Sequence, residues 1–165
     1  MTTKSFNIQA ALDYARQWAL ARNPAYADYE TLGGDCTSFM SQILIAGGAP
    51  MNHTPDTGWY YRNLNHHAPS WTGVPFMYTF LVQNKGPGPY GSQIPLDEVQ
   101  PGDIIQLKFA HKPQFSHSLF VLSVGDPISP ENVLIAAHSY DSIDRPLSSY
   151  VYEAARAMRI DGVRG

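Results

Sequence analysis

The chain holds one cysteine and six histidines. A lone thiol cannot close an internal disulfide or build a cysteine-only metal site, so it is either a small buried hydrophobe or a reactive nucleophile. Cys36 stands in the run Gly33-Gly34-Asp35-Cys36-Thr37-Ser38-Phe39, after a glycine turn and at the predicted start of a helix. A helix N-terminus carries unpaired backbone N–H groups and a partial positive charge, and both favour thiolate over thiol. The same N–H groups, that of Cys36 included, could hold the oxyanion formed when a carbonyl is attacked. Asp35 adjoins the nucleophile and reads equally as a helix cap. The competing reading buries Cys36 as packing beside Phe39 and Met40.

Nucleophilic catalysis needs a base. His53, His66 and His67 lie in a polar loop, and His111 sits between predicted strands beside Lys112 and Pro113; all four read as solvated or loop-packing residues. His117 opens the apolar run Leu119-Phe120-Val121-Leu122, where a histidine can face a groove while its strand stays buried. His138 ends the run Val133-Leu134-Ile135-Ala136-Ala137 and could lie beside His117 on a neighbouring strand. One histidine on a strand is ordinarily a satisfied core or edge residue. Two, with a helix-start cysteine, could form a nucleophile, base and orienting group. Asp141 is a rival orienter, and Ser118 and Asp103 are weaker ones. A metal site built from His117, His138 and Asp141 lacks the usual ligand spacing, and no Gly-x-Ser-x-Gly occurs for a serine nucleophile. Neither a metal nor a cofactor is expected.

The elements that must position these groups follow from periodicity. Residues 7–22 read as a helix, with Ile8, Ala11, Leu12, Ala15 and Ala19 on one face. A second helix should run from Cys36 to Ala46 and close at Gly47-Gly48. Residues 49–70 read as a loop, 71–82 as a third helix and 85–91 as a Gly/Pro loop. Residues 103–109, 117–124 and 133–139 read as strands of an antiparallel sheet, with a last strand at 157–160. Helices followed by strands predict an α+β fold.

A chain of 165 residues suits one domain, here 1–165. The apolar share of 44% and charged share of 15% are those of a globular protein. A net charge of -3 with no basic run leaves no footprint for nucleic acid. No apolar stretch nears the roughly 18 residues that span a bilayer. The first residues lack a secretory h-region, as expected of a chain that stays inside the cell or of a mature or excised form.

The motifs also carry a resemblance. Gly34-Asp35-Cys36-Thr37-Ser38-Phe39, Val99-Gln100-Pro101-Gly102-Asp103-Ile104, Phe115-Ser116-His117-Ser118-Leu119 and Ile135-Ala136-Ala137-His138-Ser139 are similar to segments of NlpC/P60 cell-wall peptidases, relatives of the CHAP enzymes. A closer likeness, over almost the whole chain, is to the bacterial amidase-like family of the same papain-like group. It rests on Trp18-Ala19-Leu20-Ala21-Arg22-Asn23-Pro24, Gly33-Gly34-Asp35-Cys36-Thr37, Gly58-Trp59-Tyr60-Tyr61, Ser70-Trp71-Thr72-Gly73-Val74 and His138-Ser139-Tyr140-Asp141 with Arg145-Pro146-Leu147.

The resemblance implies a papain-like α+β fold with the nucleophile at a helix N-terminus packed on an antiparallel sheet. It implies Cys36 as nucleophile, His117 as general base and His138 as orienter. The implied activity is cysteine-dependent amide hydrolysis, with peptidoglycan stem peptides as the leading substrate class. A binding module that keeps the fold without activity is the alternative. Trp59, Tyr60 and Trp71 could line a substrate cleft or pack the core. Arg145 could bind a substrate carboxylate or pair with Asp141 or Asp144.

Overall fold

The computed structural model describes all 165 residues. Four helices precede or flank an antiparallel sheet, an α+β arrangement. Helix α1 (Ile8–Trp18) begins at Asn7, whose side chain accepts the Ala10 N–H at 3.0 Å. It buries only Ala11 and Ala15, and these small residues let it lie close against α2 (Cys36–Ala46). The first helix was expected to continue to Arg22. It ends at Trp18 instead, and the Trp18 carbonyl accepts the Ala21 N–H at 3.2 Å in a closing turn while keeping a second lone pair for a side-chain donor.

Helix α2 has the expected bounds. Residues Cys36 to Leu44 are all buried, so α2 is a central helix, enclosed on every side. Its polar positions are therefore paired internally. Gln42 accepts the Tyr14 hydroxyl at 2.6 Å, and Ser41 accepts the Trp59 indole N–H at 3.0 Å while donating to the Trp71 carbonyl at 3.0 Å. The expected third helix is split at Gly73 into α3 (Pro69–Thr72) and α4 (Val74–Gln83).

Nine strands form two sheets, a main one of seven and a separate pair. The path of the main sheet is β1 (Thr3–Lys4), β9 (Ala154–Arg164), β5 (Ile104–Lys108), β6 (His117–Ser123), β7 (Leu134–Ala137) and β8 (Ser142–Pro146). A further strand, β4 (Gly88–Ile94), pairs along the other edge of β9. A small hairpin of β2 (Tyr61–Asn63) and β3 (His66–His67) stands apart. Every pairing is antiparallel.

The strands read as 103–109, 117–124 and 133–139 correspond to β5, β6 and β7, and the last strand is longer than expected. The Gly/Pro segment read as a loop over 85–91 contains the start of β4. Pro89 is tolerated there because β4 has only one neighbour, so a missing N–H costs no second ladder bond. The segment read as loop over 49–70 carries the β2–β3 hairpin.

Both faces of the central strands are covered, which explains why β5 and β6 are continuous apolar runs. Ile104, Phe120 and Met158 face the helices and pack with Phe39, Ile43, Trp59 and Trp71. Ile105, Leu107, Leu119 and Val121 face the opposite side and pack with Ile135 and Leu147. Trp59 and Trp71 are fully buried in the helix-side core and line no cleft, the packing alternative of the two read from the sequence, not the substrate-contact one.

Candidate active site

The nucleophile turn is shaped by two glycines in the left-handed region, Gly33 at φ +106° and Gly34 at φ +107°. A Cβ on Gly34 would also lie 3.2 Å from the Ser139 hydroxyl oxygen. The chain then enters α2 at Cys36. The first three N–H groups of α2 have no main-chain acceptor.

Asp35 does not cap the helix. Its side chain turns into the protein, fully buried, and its Oδ1 accepts the Tyr29 N–H at 2.9 Å. Its Oδ2 meets His138 Nδ1 at 2.5 Å and lies 3.5 Å from Arg22 Nε. His138 Nε2 donates to the Trp18 carbonyl at 2.7 Å, and the ring stacks on Phe39 with centroids 3.9 Å apart.

Both ring nitrogens of His138 are thus engaged by Asp35 and Trp18, and neither reaches His117. The structure places His138 behind the nucleophile turn. Its neighbour Ser139 donates to Glu30 Oε2 at 2.7 Å and accepts the Asp35 N–H at 3.2 Å. The end of β7 therefore clamps the turn that presents Cys36. Asp141 is also held elsewhere, in a two-pronged pair with Arg22 at 2.8 and 3.1 Å. Asp103 accepts from Arg159 at 2.9 Å and from the Gln100 N–H at 2.7 Å, on the far part of the sheet.

Cys36 and His117 are brought to one cleft of about 580 Å³. The contact that joins their elements lies one residue beyond each. Thr37 and Ser118 hydroxyls are 3.0 Å apart, which stitches the first turn of α2 to the start of β6. Ser118, a weak rival for the orienting role, therefore binds the nucleophile's helix. The Thr37 hydroxyl is also 3.8 Å from the Cys36 sulfur. Alternation along β6 sends Ser118 and Phe120 toward the helices and His117 toward the other face, beside Phe109 and Tyr150.

The site is dry at its base, with Cys36 6% and His117 7% exposed. Burial pushes the Cys36 thiol up, against the pull of the Ser118 N–H and the Thr37 groups. Burial, with the nearby Arg145 charge, pushes His117 down to about 4. Both shifts favour the neutral forms, thiol over thiolate and imidazole over imidazolium. The helix N-terminus, expected to favour thiolate, is outweighed by desolvation. The His117 ring makes no hydrogen bond to a protein group.

Several cleft residues carried no sequence signal. Tyr150 packs on His117 with centroids 5.6 Å apart, and its hydroxyl is buried without a partner. Ser116 Oγ is likewise buried and unpartnered. His111 and Lys112, read as plain loop residues, line the same cleft, as do Ser139 and, in agreement with its reading as a candidate carboxylate contact, Arg145. Tyr60 lies away from it, stacked on His53. A second hollow of about 560 Å³ lies over α4, around Asn52, Phe76 and Gln83, and holds neither cysteine nor histidine. No group of three or more potential metal ligands is assembled anywhere, and no helix is long and apolar enough to cross a membrane.

Comparison with known proteins places this arrangement in a family. The chain is 33% identical over 134 residues to the protein named Uncharacterized protein YhbB of Bacillus subtilis (strain 168). That alignment covers 80% of this chain but 41% of the Bacillus protein, so the chain spans under half of that relative's length. No solved structure matches. A family model described as "Putative amidase domain" matches residues 5–160, from ahead of α1 into the last strand, and takes in Cys36, His117 and His138 alike. The chain belongs to this amidase-domain family.

Proposed function

We propose that the chain is a single papain-like hydrolase domain that cleaves amide bonds through Cys36. The carrying observation is the shared cleft: a sulfur at a helix start and an imidazole at a strand mouth, fastened through Thr37 and Ser118. Neutral His117 takes the thiol proton as the Cys36 sulfur bonds to the amide carbon. The carbonyl oxygen gains charge and is met by unpaired N–H groups of the first turn of α2. Collapse breaks the C–N bond, and His117 gives its proton to the departing amine. His117 then takes a proton from water, whose oxygen attacks the thioester and releases acid and thiol. Asp35, His138 and Ser139 are positioning residues that hold the nucleophile turn. Peptidoglycan stem peptides are the first substrates to test, by the likeness to cell-wall peptidases.

A second reading, a binding module with a silent site, is favoured by one observation. Burial moves the thiol and imidazole toward their neutral forms, away from a reactive ion pair. The test is hydrolysis of peptidoglycan fragments and small peptide amides by the wild type, Cys36→Ala and His117→Ala. The hydrolase reading expects turnover that iodoacetamide abolishes and chelators spare, and that both variants lose. Ligand retention without turnover in the wild type would establish the second reading.

A further inference from the structure

We propose that the Cys36 cleft is built to receive a carboxylate, gripped by Arg145 with Lys112 near by, so that the amide it acts on carries an anionic group close to the scissile bond. The substrate wording rests on the hydrolase reading above; the carboxylate site itself does not.

The first observation is charge. The cleft is lined by Arg145, Lys112 and His111 and by no aspartate or glutamate, although acidic residues outnumber basic ones in the chain, 14 against 11. A local excess of positive charge in a net acidic chain concentrates anions at that place.

The second is that Arg145 is left without an acid although two stand beside it in sequence. Asp144 pairs with Arg16 at 3.1 Å and Asp141 with Arg22 at 2.8 Å. Arg145 enters no ion pair. Its guanidinium lies over the Tyr150 ring, 3.7 Å from the centroid, and its Nε donates to the Ser149 hydroxyl at 2.6 Å. These contacts fix the plane of the guanidinium. Its two terminal nitrogens each make one long hydrogen bond of 3.5 Å, to Ser142 Oγ and to the Ser149 carbonyl, and none to a carboxylate. A fixed guanidinium whose terminal nitrogens hold only weak neutral partners matches the two oxygens of a carboxylate.

The third is independent of charge. Four buried side-chain polar atoms in the chain lack a hydrogen bond of full geometry, and two of them, Ser116 Oγ and Tyr150 Oη (the latter close to Ser142 and Arg145), belong to residues lining this cleft. Both are hydroxyls able to donate to an incoming anion or to an oxyanion beside it.

Occupancy would also change the base. The titratable groups that line the cleft with His117 are Cys36 on α2, His111 and Lys112 ahead of β6, Tyr140 ahead of β8, Arg145 on β8 and Tyr150 beyond it, with no carboxylate among them. A bound anion offsets the Arg145 charge and makes His117 a stronger base when the cleft is loaded.

The single cysteine allows a direct test on the full chain. Iodoacetate and iodoacetamide deliver nearly the same alkyl group to Cys36, one with a carboxylate and one without. The ratio of their alkylation rates should favour iodoacetate by about tenfold more in the wild type than in Arg145→Gln. N-acetylglycine should protect the wild type against iodoacetamide, and N-acetylglycinamide should not. This arm needs no variant and excludes a misfolded Arg145→Gln as the cause.

For a readout free of thiol reactivity, both N-acetyl probes would be titrated into Cys36→Ser and followed by NMR at the His117 ring. Movement with N-acetylglycine alone supports the carboxylate site even if Cys36 proves inert and the hydrolase reading falls. Equal alkylation ratios in wild type and Arg145→Gln, with no movement at His117, overturn the carboxylate site while leaving the hydrolase reading standing.

Discussion

His117 should make the chain acid-sensitive in a way that its removal cures. The imidazole sits at about 4 in the folded chain against an ordinary 6.5, from burial first and the Arg145 charge second. Between these values the unfolded chain binds a proton that the folded chain refuses. Stability therefore rises with pH across that window: this contribution is absent above about 6.5 and grows as a penalty on the way down to 4. A gap of about 2.5 units corresponds to about 3 kcal/mol once both states are protonated. Relative to pH 7.5, about 1 kcal/mol should be lost by pH 5.5 and roughly 2.5 kcal/mol by pH 4.5. The perturbation is His117→Asn, which keeps a polar group but cannot titrate. The assay is urea unfolding of both proteins at pH 4.5, 5.5, 6.5 and 7.5, read as the difference between them so that the other five histidines cancel. The wild type should lose stability faster than the variant as pH falls. Parallel curves would refute the reasoning and place His117 in contact with water or with an unrecognised acid.

Three further outcomes follow from the geometry. Alkylation of Cys36 by iodoacetamide in the unliganded chain should keep rising through and beyond the ordinary thiol range near 8.5, because burial raises the thiol; a plateau below neutral pH would mean an ion pair with His117. Asp35→Asn should cost about 3 kcal/mol in urea unfolding, because it strips the buried His138 and Arg22 Nε of their shared carboxylate; a loss under about 1 kcal/mol would show the pair to be dispensable. Trp59→Phe should cost about 1–3 kcal/mol through the lost bond to Ser41, while leaving the Cys36 alkylation rate unchanged; an altered rate would return Trp59 to the cleft.

The parts of the fold legible in the sequence are those whose signal is local. Helix α2 has glycines at both ends and an apolar interior, and its bounds match to the residue. Strands β5, β6 and β7 are apolar runs between breakers. The misread elements are those decided by a distant partner. β4 contains Gly88, Pro89 and Gly91 and looks like a loop, yet β9 supplies a template along its whole length. Helix α1 stops at Trp18 although Ala19 continues its stripe, and the Trp18 carbonyl there is shared by the Ala21 N–H of a tight turn and by His138 from the end of β7.

The same distinction governs the site. Cys36 and His117 are each marked by their own neighbourhood, a glycine turn and a strand mouth. What His138 does is not marked, because a histidine after an apolar strand looks alike whether it serves the base or the nucleophile turn. Three contacts favour the turn: Asp35 at one nitrogen, Trp18 at the other, and Phe39 against the ring face. With both nitrogens and a face engaged, the ring has no freedom to follow His117 through a proton-transfer cycle. It can fix the path of residues 33–36. Arg145 poses the converse problem. Its sequence offers Asp141 and Asp144 as partners, and only the approach of Arg16 and Arg22 from the N-terminal third of the chain removes them. An arginine that the fold separates from both available acids, and whose plane it then locks on Tyr150, is held in readiness for an acid from outside the chain.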